Sequence, residues 1–128
     1  MNESEWIKKA DDDLRMAEVI IQSDNPPTWG VCYHCQQSAE KYLKAYLVAS
    51  DIEFKELHDL VYLSDLCSTI EPDFKNIIDD FKALSPFAVT SRYPFVNLKE
   101  YTIEEATDAI EKAKKVKDFI KKKLGETK

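Results

Sequence analysis

Only two glycines, Gly30 and Gly125, occur in a chain of 128 residues, and this shortage limits the folds open to it. Phosphate-cradling loops and tight β-hairpins need residues that accept positive φ, which glycine does without strain. A Gly-rich nucleotide loop, a dinucleotide-binding fingerprint and a multi-hairpin β-sandwich are therefore excluded. A mass of 14.8 kDa is the size of one domain, expected over residues 1–128. With 44% hydrophobic and 33% charged residues, the composition is that of a folded chain, not a disordered one.

The spacing of apolar residues is helical nearly everywhere. Ile7, Ala10, Leu14, Ala17 and Ile21 step by three and four, predicting a first helix over about Glu3 to Gln22. Asp11, Asp12 and Asp13 are expected largely on its solvated side. Pro26 and Pro27 force a turn, and a second helix is predicted from about Trp29 to Ser50. Its apolar arc, centred on Cys32, Cys35, Ala39, Leu43, Tyr46 and Leu47, is wide enough for a central helix with neighbours on several sides. A third helix is predicted over about His58 to Ile70, with Leu60, Leu63 and Cys67 inward, ending before Pro72. A fourth begins near Asp73, buries Phe74, Ile77, Ile78, Phe81 and Leu84, and is kinked or ended by Pro86. Ser91 to Tyr101 reads as an irregular connection. Thr102 with Glu105 fits a capping box for a last helix that buries Ala106, Ala109, Ile110, Ala113, Val116, Ile120 and Leu124. The expected fold is all-α, an up-and-down antiparallel bundle of about five helices.

No apolar run approaches the roughly 20 residues that cross a bilayer. The start, Met1-Asn-Glu-Ser-Glu-Trp6, lacks the apolar stretch of a secretory leader. Three cysteines, an odd number, suggest reduced thiols, so the expected location is cytoplasmic. Charge is uneven: Glu111 to Lys128 holds eight lysines against three acids, although the whole chain carries −6. The body is thus strongly acidic and repels phosphates over about a Debye length, roughly 10 Å at 0.1 M salt. Bulk nucleic-acid binding is not expected. The basic tail reads as a terminal helix whose lysines complement its macrodipole, or as a local contact for an anionic partner.

Cys32 and Cys35 form a C-x-x-C, yet no second pair stands at a metal-binding spacing and no βαβ pattern accompanies it. Both read as small core hydrophobes, and no metal or cofactor is expected. The opposite side of the second helix is less ordinary. At 100° per residue, His34, Gln37, Lys41, Lys44 and Val48 share an arc of about 80°, flanked by Tyr33 and Glu40. Such a strip can bind an anion and a base, form a polar dimer seam, or simply face solvent. His58 reads as a capping or packing residue. Arg92, one of two arginines, suits bidentate recognition of phosphate or an internal carboxylate.

The stretch Cys32-Tyr-His-Cys-Gln-Gln-Ser-Ala-Glu-Lys-Tyr-Leu-Lys-Ala-Tyr-Leu47 resembles the second-helix signature of HEPN domains. Leu57-His-Asp-Leu60 resembles that family's entry to the third helix, and Pro86 to Pro94 its loop ending in Arg-Tyr-Pro. The resemblance spans about residues 3 to 124. It implies an up-and-down α-bundle, commonly a homodimer, often encoded beside a minimal nucleotidyltransferase and associated with it. Some members are toxins that cut RNA through Arg-x(4–6)-His, and here the sequence departs. Ile20, Ile21 and Gln22 stand at those spacings from Arg15, and Asn97, Leu98 and Lys99 from Arg92. None of these is a histidine, and an asparagine cannot shuttle a proton at neutral pH, so no catalytic residue is assigned by that motif.

These readings converge on a non-catalytic module that binds a nucleotide and pairs with a nucleotidyltransferase-type partner. Lys41, Lys44 and Arg92 would neutralise phosphate, and Gln37 and Tyr93 would orient or stack the base, with His34, Glu40 and His58 in support. The alternatives are an RNA-cutting toxin using His34 or His58 with Arg92, and a homodimer module with no ligand.

Overall fold

A computed structural model describes residues 1–88 and 100–126. The expected connection from Ser91 falls mostly outside them, as do Arg92 and Tyr93. Five α-helices are described: α1 (Glu3–Ile21), α2 (Thr28–Ala49), α3 (Leu60–Ser68), α4 (Ile78–Leu84) and α5 (Ile103–Glu126). No strand occurs among the described residues.

Local chemistry sets the helix ends. Asn2 accepts from the Glu5 N–H at 2.8 Å while the Glu5 side chain accepts from the Asn2 N–H at 3.3 Å, closing a capping box on α1. Thr102 and Glu105 form the same reciprocal pair at the start of α5, at 3.0 and 3.1 Å. The third helix begins at Leu60, two residues later than the spacing suggests, because Asp59 caps it by accepting from the Tyr62 N–H. Glu71 is extended before Pro72, and the fourth segment opens as a 3-10 helix, Pro72–Ile77, before becoming α4. A further 3-10 turn, Ser85–Phe87, ends it at Pro86. With glycine scarce, the left-handed turn positions fall to Asn25 (φ 46°) and Asp51 (φ 61°), types that tolerate that region.

α2 is the central rod. It packs against α1, α5 and α3, and buries Val31, Cys32, Cys35, Ala39, Leu43 and Leu47 completely. Val31, Leu43 and Leu47 each contribute about 1.5–3 kcal/mol by leaving water. Phe74 joins this core edge-on to Tyr46 and to Phe119, each at 4.9 Å between ring centres. All seven residues expected inward on α5 are buried. No helix among the described residues is long and apolar enough to cross a membrane.

Several lysines of α5 reach across the bundle to acids on other elements. Lys114 reaches Glu18 of α1 at 3.7 Å, and Lys121 reaches Asp11 at 3.2 Å. Lys115 pairs with Asp80 of α4 at 3.0 Å, and Lys123 with Glu71 and Asp73 at 2.6 and 2.7 Å. The positive tail is thus laid against the negative body.

The three cysteines are buried and free. Burial, helped by the Glu105 charge, pushes the Cys32 thiol up to about 11, and burial also raises Cys35 and Cys67. A thiol must ionise to react. Ellman's reagent at pH 8 is therefore expected to leave all three untouched in the native protein and to titrate three after denaturation.

Candidate functional site

The polar strip of α2 divides into two clusters, each built around a buried carboxylate. The first joins α1 to α2. Asp13 falls three residues after Ala10 and four before Ala17, at the edge of the apolar stripe of α1, and its side chain turns inward. His34 Nδ1 lies 2.9 Å from Asp13 Oδ1, and Lys41 Nζ donates to Asp13 Oδ2. Burial on its own would raise the Asp13 carboxyl. The hydrogen bonds and charges of His34 and Lys41 outweigh it and hold the group below its ordinary value. His34 and Lys41 remain half-buried, with the Tyr33 ring edge-on to His34.

The expectation that the acidic triplet is largely solvated is thereby corrected. Asp12 alone pairs along the surface of α1, with Lys8. Asp11 accepts from the Tyr42 hydroxyl and faces Lys117 and Lys121. Burial, and then that hydrogen bond, push the Tyr42 hydroxyl up.

The second cluster lies between α2 and the connection to α3. Glu40 is buried and accepts on Oε1 from Gln36 Nε2 at 3.2 Å, with His58 Nδ1 at 2.9 Å, and on Oε2 from Lys44 Nζ at 3.1 Å. Gln36 in turn accepts from Gln37 Nε2 at 2.7 Å, which links the network to the half-buried edge of the strip. Lys44 also donates to Glu56 at 3.3 Å, and its ammonium stands 5.2 Å from the Trp6 ring centre and 5.7 Å from that of Phe54. Its side chain is only 4% exposed.

Lys44 is consequently not on a reachable cationic face, although helical arithmetic places it beside Lys41. The angle agrees; the depth depends on Trp6 and the α2–α3 connection covering it. His34, Gln37 and Lys41 stay at the accessible edge, and His58 is 57% exposed beyond Glu40. His58 precedes the capping residue instead of capping α3 itself. Arg92 and Tyr93, lying outside the described residues, are not placed against this site. Sequence reasoning did not place Asp13, Gln36, Trp6, Phe54 or Glu56 in the site; the position of Asp13 between Ala10 and Ala17 and the Gln36-Gln37 pair of the second-helix signature were the available signals.

Each imidazole carries its Nδ1 on a buried carboxylate. A neutral ring held this way donates from Nδ1 and keeps its lone pair on Nε2. No group of three or more metal-ligating side chains converges among the described residues. A separate open groove of about 590 Å³ lies between the start of α1 and the end of α5, lined by Ile7, Asp11, Lys121 and Leu124 among others. None of the expected site residues among the described ones lines it.

The chain belongs to the HEPN domain family, whose pattern it matches over residues 3–124. The chain is 30% identical to the "Putative toxin MJ1304" of Methanocaldococcus jannaschii, over 94% of its own length and 89% of that protein. Among solved structures it resembles ST0689, an archaeal HEPN homologue, at a TM-score of 0.77 and 27% identity, covering 97% of this chain and 98% of that one. It also resembles TT1696 from Thermus thermophilus, at a TM-score of 0.77 and 26% identity, over 96% and 99% of the two chains.

Asp13→Asn leaves Lys41 and His34 without their shared anion and should cost about 1–3 kcal/mol at pH 7. A carboxyl whose folded-state value lies below its ordinary 3.8 stabilises the fold above that value and ceases to do so as pH falls through the folded one. Denaturant titrations at pH 7 and pH 3 should therefore show the gap between wild type and Asp13→Asn narrowing in acid.

Proposed function

We propose that this HEPN protein is a non-catalytic interaction module that binds a nucleotide at the polar edge of α2. We propose further that it dimerises and pairs with a minimal nucleotidyltransferase-type partner. The observation that carries the reading is a pair of polar clusters, His34 and Lys41 on Asp13 and Gln37, Gln36 and His58 around Glu40, on a helix otherwise committed to the core. Packing alone gives little reason for it, since a buried ion pair contributes little over apolar residues of equal volume. Lys41 has three donors, so an ammonium held by Asp13 retains capacity for a phosphate oxygen. Gln37 stands beside it with a carboxamide able to read a base edge. Arg92 would add a planar cation for phosphate and Tyr93 a stacking surface. The lack of a histidine at the family's RNase spacing from Arg15 or Arg92 supports a binding role over a cutting one.

Calorimetry with ATP and GTP at millimolar concentration tests the nucleotide. Binding is expected, and Lys41→Ala should weaken it about tenfold, equivalent to about 1.4 kcal/mol. Silence with both nucleotides removes this part of the reading, while co-purification from the native host tests the partner separately.

Two observations favour a second reading. Imidazoles oriented by carboxylates are suited to proton transfer, and a relative carries the name "Putative toxin MJ1304". Incubation with total RNA separates the two. Intact RNA is the expected result; cleavage abolished by His34→Ala or His58→Ala would replace the binding module with a nuclease.

A further inference from the structure

We infer that the connection between α2 and α3, residues 51–59, is a strap that competes with the ligand, its Glu56 carboxylate standing on Lys44 where a phosphate oxygen would otherwise bind. This rests on the nucleotide reading of the α2 strip and adds to it a built-in competitor. Three side chains of the connection converge on one ion pair of α2. Phe54 lies over the Lys44 ammonium, Glu56 accepts from it, and His58 sits on its partner Glu40. Trp6 of α1 covers the remaining side.

The strap is anchored at its ends. Ile52 donates to the Leu47 carbonyl at 2.9 Å, and Asp59 caps α3. Between them Leu57 donates only to Lys55 within the strap itself, at 2.8 Å, while the Lys55 N–H donates to the Tyr62 hydroxyl at 3.1 Å. The strap's hold on Lys44 is therefore by side chains.

The two carboxylates on Lys44 differ in kind. Glu40 is buried, is also bound by Gln36 and His58, and cannot leave without stranding a charge. Glu56 is 77% exposed, makes the longer contact, and can return to water with little penalty. A phosphate brings several acceptor oxygens and charge-assisted hydrogen bonds to the same ammonium. It can displace Glu56 and leave the Glu40–Lys44 pair intact. Lys44 thus enters the phosphate site only when the strap yields, whereas Lys41 is available throughout.

The test compares wild type, Glu56→Gln and Glu53→Gln, the last removing an exposed charge from the same strap without touching Lys44. ATP affinity is read by calorimetry, and Lys44 accessibility by amine-reactive labelling mapped by mass spectrometry. Glu56→Gln is expected to bind ATP about two- to fivefold tighter and to label faster at Lys44, with Glu53→Gln matching wild type in both. Equal ATP affinity in Glu56→Gln and wild type, or an equal gain in Glu53→Gln, overturns the strap. If no variant binds ATP, the nucleotide reading fails, and labelling decides the cover: faster modification of Lys44 in Glu56→Gln alone upholds it, and unchanged modification overturns it.

Discussion

Glu40 is a carboxylate held out of water on the central helix, and much of the surrounding structure follows from neutralising it. Leaving such a charge unpaired would cost several kcal/mol. Lys44, one turn away, is drawn into the interior with it, and the lysine in turn needs cover that an ammonium tolerates. Trp6 and Phe54 supply that cover through their ring faces. His58 and Gln36 complete the acceptor capacity of the carboxylate. One anion therefore fixes the start of α1 against the end of α2 and sets the path of the chain into α3. Asp13 plays the matching part on the other flank, where His34 and Lys41 converge on it across the α1–α2 seam.

The helical order was legible because apolar spacing reports directly on which side of a helix faces inward. Ala10, Leu14 and Ala17, the broad arc of α2, and the alanine-spaced stripe of α5 all lie where their periodicity puts them. The capping pair Thr102 and Glu105 was legible for a similar reason, since both partners are local. The site was less so. Periodicity gives an angle about one helix axis, whereas depth is decided by what packs over that angle from elsewhere in the chain. Lys41 and Lys44 are near neighbours in angle, yet one stays at the edge and the other lies under Trp6 and the strap. At Asp13 register outweighs charge: its neighbours Ala10 and Ala17 point inward, and Lys41 makes an inward carboxylate tolerable.

Membership in the HEPN family settles the scaffold and leaves the chemistry to individual side chains. The spacing used by the RNA-cutting members is missing here, while two imidazoles are held by carboxylates at places that spacing does not describe. A bundle of this kind can keep its helices and exchange its chemistry, because α2 contributes both the core and the polar edge from opposite sides of a single rod.

The lysines of α5 carry a last consequence. Because they lie against acids of α1 and the α4 region, the two oppositely charged parts of the chain cancel at close range. Little of that separation projects outward as a field able to guide an approaching molecule from a distance. The net charge of −6 remains, so an anionic ligand must be captured against a long-range repulsion by short contacts made after encounter, and that repulsion eases as ionic strength rises.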